Sequence, residues 1–409
     1  MESSGVKTVV GSDSLVYNPK VRSVFFQVLA LLSVFGALFL LRNNTLTNLE
    51  SQGKSLGFGF LNDSAGFQIL PTFGTWILNY KVGVSTYLDV FFVGILNTLI
   101  VAFAGIIIAT IVGFTIGIFR LSNNFILRIF ASTFVEIFRN IPLLLWLFIF
   151  YFAVLRSLPP KREALFLLSD FVGINITGLY APAPKLEDGY SYVLISFAVA
   201  ILVSYFIVKW ARKIFFSTGR RLPVTWIVCS VLVGLPIVIF YFSGQPIYLE
   251  YPVFKSDGAI LRRGFQSGQG MMIVPEMMAL LLALSLYTSA FIAEIVRAGI
   301  LAVSSGQTEA SFSLGLRPGV TLRLVVIPQA MRVIVPPLTS QYLNLIKNSS
   351  LAVAIAYPEL VSTFGGTALN NVGKEVEMIF MLMLVYLSLS IITSMFMNWF
   401  NSRIKLIER

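Results

Sequence analysis

Long apolar runs separated by short polar breaks dominate the chain. A bilayer core about 30 Å thick is crossed by about 20 helical residues. Eight runs reach that length: Ser23 to Leu41, Val90 to Phe119, Ile126 to Leu155, Tyr192 to Trp210, Val224 to Phe242, Met272 to Val296, Val333 to Tyr357 and Val376 to Trp399. The pattern predicts an all-α, polytopic membrane protein of about eight transmembrane helices. Arg42-Asn43-Asn44 after the first run is no small-residue cleavage site, so that run reads as an uncleaved anchor. The chain then divides into a tail over 1–22, the anchor over 23–41, an outer loop over 42–89, a transmembrane domain over 90–400 and a tail over 401–409.

Charge sets the expected orientation. With the N-terminus inside, the connection after the fourth run carries Lys209, Arg212, Lys213, Arg220 and Arg221 on the inner side. Outer basic residues, among them Lys161, Arg162, Lys185, Arg262 and Arg263, are mixed with Glu163, Asp170, Glu187, Asp188, Glu250 and Asp257. Setting aside Arg139 and Lys347 as intramembrane, Lys and Arg divide 17 inside to 11 outside, which favours both termini in the cytoplasm. Only 12% of the 409 residues are charged, against about 25% in soluble domains. The net charge of +11 therefore reads as topology signal, and no nucleic-acid partner is expected. The absence of histidine and the single Cys229 remove the usual acid/base, metal-ligand and disulfide chemistry.

The outer loops at roughly 42–89 and 243–271 are rich in Gly, Ser, Asn and Pro and show no alternating strand pattern. They read as mobile loops or as docking ground for a soluble partner. Gly113-xxx-Gly117 has the small-residue spacing of close helix packing.

Between the sixth and seventh runs lies the one long inner connection, with a segment over 307–330. Thr308 is placed to cap a short helix and Glu309 favours its positive end. Gly315 through Gly319 supplies a turn into a second, amphipathic helix. A Glu-Ala pair at Glu309 and Ala310, Gly315 six residues after the Glu and Pro328 nineteen after it resemble the coupling motif of ABC importer permeases. Ser311 stands where many members carry a second Ala. The resemblance implies a type I ABC importer permease core and contact with separate ATPase subunits through Glu309, Ala310, Gly315, Arg317 and Pro328. No segment reads G-x-x-x-x-G-K-[ST]; Gly53-Lys54-Ser55 imitates only its end. The chain is therefore expected to be no enzyme and to bind no cofactor, with ATP hydrolysed by the partner.

Ionisable groups inside spans mark candidate solute positions. Glu136 and Arg139 lie three apart on one helical face, so Glu136 is placed to neutralise Arg139, either as a packing ion pair or beside a solute. Pro142 follows and frees backbone carbonyls. Tyr287 and Glu294 are seven apart on one face of the sixth run, near Ser289. Asn344 to Ser350, with Lys347, is a polar cluster that suits either a carboxylate partner or a hinge. The two-pronged guanidinium of Arg139 suits a carboxylate on the solute, and Glu294 suits a cationic group such as an ammonium.

Phe138-Arg139-Asn140-Ile141-Pro142, the block from Tyr287 to Gly299 and Asn344 to Leu351 are similar to the polar amino-acid permeases. The added pair of runs near 190–242, Asn348 and the run Ala354 to Leu360 look like the longer permeases of general L-amino-acid importers. That resemblance implies polar or acidic L-amino acids as substrates, and Arg139, Asn140, Tyr287, Ser289, Glu294, Asn344 and Lys347 as candidate contacts. It also implies a second, homologous permease, a periplasmic amino-acid-binding protein and a place in a bacterial inner membrane. The competing reading is a secondary transporter driven by an ion gradient, with Asn344 to Ser350 as its broken helix; a membrane enzyme fits least.

Overall fold

A computed structural model describes residues 19–51, 53, 56–167, 171–220, 222–255, 263–266 and 269–404. Expectations for 1–18, Lys54-Ser55, Asp170, Arg221, Asp257, Arg262 and 405–409 fall outside the described residues. The helices in chain order are α1 (Pro19–Ser51), α2 (Phe73–Ile77), α3 (Tyr87–Phe119), α4 (Phe125–Asn140), α5 (Leu143–Phe148), α6 (Tyr190–Thr218), α7 (Val224–Phe242), α8 (Pro275–Leu301), α9 (Ser305–Ser313), α10 (Pro318–Thr321), α11 (Ile327–Asn348), α12 (Leu369–Val372) and α13 (Glu375–Ile404). Among the described residues seven helices are long and apolar enough to cross a bilayer. An eighth crossing exists if α4 and the stretch from Leu143 to Ser157 count as one path.

That path corrects the third run, expected as one helix from Ile126 to Leu155. The chain bends by 105° between α4 and α5. Ile141 is extended because the ring of Pro142 excludes the helical region for the residue before it, and Pro142 has no N–H to continue the ladder. Beyond α5 the chain widens into a π-helix over Ile149–Val154.

Two compact units are present, one of the residues up to 60 with Lys374–Glu377, the other of 61–373 and 378 onward. In the first, α1 is exposed along nearly its whole length, and the Gly57 N–H donates to Glu377 Oε1 at 2.7 Å. In the second, α8 is the most buried crossing, and α3 lies directly against it. The Gly113-xxx-Gly117 spacing allows this. A Cβ on Gly113 would sit 2.6 Å from the Ile292 side chain, and one on Gly117 2.8 Å from the Ala293 carbonyl. A helix with larger residues there could not approach so closely. Ile334, Val335 and Leu338 of α11 join the same cluster as Ile292 and Val296 of α8 and Ala102 and Ala109 of α3.

The all-α expectation holds for the crossings, but one end of the bundle carries a β layer. Strands β1 (Leu165–Leu167), β2 (Val172–Asn175), β3 (Gly178–Ala181) and β8 (Met271–Ile273) form an antiparallel sheet in the order β1-β2-β3-β8. β4 (Ala183–Leu186) pairs with β5 (Ile247–Glu250), and β6 (Phe254–Lys255) with β7 (Gly264–Phe265). The strands that follow α7 therefore pair with segments far earlier in the chain, β5 with β4 and β8 with β3, which no local alternation reveals. The segment over 61–86 also folds: Thr72 caps α2, and Asn97 of α3, fully buried, accepts from Gly74 N–H at 2.9 Å while donating to Thr72 Oγ1 and the Pro358 carbonyl. With three partners the Asn97 amide is satisfied inside the bundle.

Replacing Gly113 by Ala is expected to destabilise the protein by about 1–3 kcal/mol, because the added methyl overpacks a backbone contact. Gly234→Ala in α7, where a Cβ meets nothing within 4 Å, serves as the control. Thermal unfolding of the purified protein checks this, and equal midpoints for the two variants would contradict the close crossing.

Candidate functional site

The tight packing of α3 on α8 brings the C-terminal ends of both helices together, at the end of the bundle away from the β layer. There Arg120, just past α3, donates to Glu294 Oε2. Arg297, one turn on in α8, donates to Glu294 Oε1 at 2.9 Å. Helix α4 starts from the Asn124 side chain, which accepts from the N–H groups of Ile126 and Leu127, and runs back along α3 with Ala131 and Val135 packed near Ile116 and Ala293. Its last turn therefore returns Arg139 to the same carboxylate, 3.8 Å from Oε2. One carboxylate serves three guanidiniums, leaving an excess of two positive charges.

Arg139 also lies 5.3 Å over the Phe291 ring, which in turn is 5.0 Å from the Tyr287 ring. Tyr287, Phe291 and Glu294 recur on one face of α8, and Arg139 covers that face. It is the most open member of the cluster, its side chain 39% exposed against 14% for Arg120. The geometry corrects two expectations. Glu136 is exposed, and among the described residues the carboxylate facing Arg139 is Glu294. The oxygens of Glu294 are occupied by arginines, so the cluster's surplus favours an anion rather than an ammonium.

The other candidate positions divide. Asn140 is exposed at the end of α4, beside Arg139. Ser289 is fully buried, its hydroxyl donates to the Leu286 carbonyl, and its own carbonyl lies against Gly113, so it faces α3 rather than the Tyr287 side. Asn344 and Lys347 are exposed on one face of α11, and among the described residues no hydrogen bond or ion pair joins them to the cluster. After Asn348 the helix tightens into a 3₁₀ stretch over Ser349–Ile355, with the hydroxyls of Ser349 and Ser350 donating back to the carbonyls of Ile346 and Lys347. Sequence reasoning missed Arg120, because a charge at the end of an apolar run looks like an interface marker and its partner lies 174 residues away. It also missed Glu359, fully buried and accepting from the N–H groups of Val361 and Ser362 and from Tyr386 Oη.

At the same end of the bundle, α9 and α10 form a knob. Gly315, with φ +75°, makes the left-handed turn between them, and the Leu316 N–H donates back to the Ser311 carbonyl at 3.1 Å. Gln329, in the first turn of α11, donates to Gln307 of α9 at 3.2 Å. Thr308, expected as a cap, is a full turn inside α9, since the chain turns back within three residues of α8 and the helix starts at Ser305. The break spans Leu314 to Arg317, and Gly319 already belongs to α10. Ser311 is buried with its hydroxyl on the Gln307 carbonyl. Glu309, Ala310, Gly315 and Arg317 are exposed, Pro328 lies in the first turn of α11, and Phe312, Leu314 and Leu324 present apolar surface, Leu314 to 81%.

Residues 105–406 match the family described as the binding-protein-dependent transport system inner membrane component. A protein of Escherichia coli K12 that carries a provisional amino-acid ABC transporter permease name is 47% identical over 403 residues, 98% of each chain. The general L-amino acid transport system permease protein of Rhizobium johnstonii is 46% identical, covering 97% of this chain and 95% of that protein. The glutamate/glutamine/aspartate/asparagine transport system permease protein of Rhodobacter capsulatus is 40% identical over 97% of this chain and 96% of its own length.

A double-mutant cycle between Arg120→Gln and Glu294→Gln is expected to give a coupling of about 1.5–3 kcal/mol, as for charged hydrogen bonds. The more exposed Arg297 with Glu294 should give less than about 1 kcal/mol. Unfolding of the four proteins of each cycle measures both.

Proposed function

This chain belongs to the binding-protein-dependent transport system inner membrane components, and on that premise we propose that it passes polar or acidic L-amino acids through the membrane. The class is settled: it is a multi-span permease subunit of an ATP-driven importer, working with separate ATPase subunits and a binding protein. The names of relatives matched over nearly their whole length support the amino-acid reading. The observation that carries it is the surplus of arginine around Glu294, open at Arg139, which suits the carboxylate common to all amino acids.

In this reading the knob sits in the ATPase cleft, with Leu314 and its apolar neighbours as the contact. The knob continues through the π-helical stretch Leu322–Val326 into α11, and α11 packs on α8. A displacement of the knob at ATP-driven closure is thereby carried to the helix that holds Tyr287, Phe291 and Glu294. The carboxylate of a solute delivered from the outer face meets Arg139, and alternating access moves it inward. A second, homologous permease completes the cavity, both termini lie in the cytoplasm, and the nucleotide is bound and hydrolysed by the partner alone.

Reconstitution of the whole complex in proteoliposomes tests the reading. Arg139→Gln should abolish amino-acid uptake while assembly and basal ATPase activity persist; undiminished uptake would remove Arg139 from the path. Leu314→Glu should lose the ATPase subunits on purification while still inserting in the membrane. Uptake by the isolated chain under an ion gradient, with no ATPase present, would overturn the importer reading.

A further inference from the structure

Helices α6 and α7 form a hairpin whose two arms are unequal. Their ends at the β layer are held level by the β4–β5 pair, by the Glu187 N–H on the Pro246 carbonyl at 2.8 Å, and by Lys185 to Glu250 at 3.3 Å. That hydrogen-bonded carboxylate raises Lys185 above the ordinary lysine range. Helix α7 has 19 residues and is about 28 Å long, the thickness of a bilayer core. Helix α6 has 29 and is about 43 Å long, so its excess of about 15 Å lies wholly at the other end, on the side of the knob. The overhang runs from Lys209 to Thr218.

Its first residue is also the first charge in α6. Lys209, Arg212 and Lys213 fall at helical spacings of three and four, on one face, and all three are exposed, while Ala211 on the other side is buried. Arg220 follows at the turn. From Gly189 to Leu249 the chain contains no Asp or Glu; the nearest acids, Asp188 and Glu250, lie at the far end of the hairpin. Trp210, Phe216 and, at the start of α7, Trp226 flank the cations and are exposed to 58, 84 and 78%. Cations that make no ion pair among the described residues, interleaved with amphipathic rings just beyond the hydrocarbon, match the headgroup layer of an acidic membrane.

We infer that the α6 overhang is a binding site for anionic phospholipid headgroups, with Lys209, Arg212 and Lys213 as the phosphate contacts and Trp210 and Phe216 anchoring at the interface. The inference rests on the importer reading in one respect: the knob side is the cytoplasmic side, so the lipid belongs to the inner leaflet. The added helix pair then ties the permease to acidic lipid.

The test is a lipid titration of the purified complex followed by native mass spectrometry, with phosphatidylglycerol and phosphatidylcholine as probes. The wild type should retain phosphatidylglycerol in preference. With each cation near the surface contributing about 1 kcal/mol, the triple variant Lys209→Gln, Arg212→Gln, Lys213→Gln should lose on the order of a hundredfold in that preference. The charge-conserving variant Lys209→Arg, Arg212→Lys, Lys213→Arg should keep it. An unchanged preference in the triple variant overturns the site, as does loss of preference in the charge-conserving one. If the triple variant does not insert, Arg212→Gln alone is read the same way, with a loss of about fivefold expected and no loss overturning the site. Displacement of the lipid by excess inorganic phosphate would reassign the site to the free anion. Copurification of the ATPase subunits, scored in the same spectra, reports separately on the importer reading.

Discussion

The crossing of α3 on α8 at Gly113 and Gly117 is the constraint on which the other positions depend. In lipid, apolar side chains gain little by leaving one apolar medium for another, so helices associate by close packing. Glycines that admit the Ile292 side chain and the Ala293 carbonyl supply that closeness. The two helix ends then meet, and Arg120 reaches Glu294. Helix α4 packs into the angle between them, which delivers Arg139. Helix α11 packs with both α3 and α8 and continues back into the knob. A single close contact thus sets both the charged cluster and the lever that moves it.

Polar groups within the bundle are handled in two ways. Asn97 and Glu359 are sealed in and satisfied: Asn97 by groups of α2 and the chain after α11, which it holds to α3, and Glu359 by the N–H groups of Val361 and Ser362 in its own turn and by Tyr386 of α13. The Glu294 cluster is open on the Arg139 side and carries a surplus of charge. Closed polar contacts serve construction here, and the open, unbalanced one serves passage.

The crossings were legible because an apolar run of twenty residues has few other fates, and the knob because its helix-turn-helix spacing is local in sequence. Pro142 reads as freeing carbonyls within a single helix, and the 105° bend there was not foreseen. The β layer was not legible: its strands are two to four residues long and pair across distances such as Leu179 with Ile273. Arg139 and Glu294 could be nominated as intramembrane charges. Their meeting, with Arg120 as a third member, follows only from the helix crossing, and the expected pairing of Glu136 with Arg139 gives way to Arg139 with Glu294 of α8, while Glu136 stays exposed. Thr308 was misplaced because the return from α8 takes fewer residues than a capped start requires.

The order of synthesis gives the same geometry another meaning. Arg120 and Glu294 are separated by 174 residues, which at about 5–20 residues per second means on the order of ten seconds or more before the second is made. Through that interval α3 stands in the membrane with its glycine groove unfilled and its arginine without the carboxylate. Both arms of the α6–α7 hairpin, ending at Phe242, are synthesised within the wait. Helix α3 is therefore a template held open during translation, and the time until α8 arrives is the period in which other small-residue helices can compete for its groove.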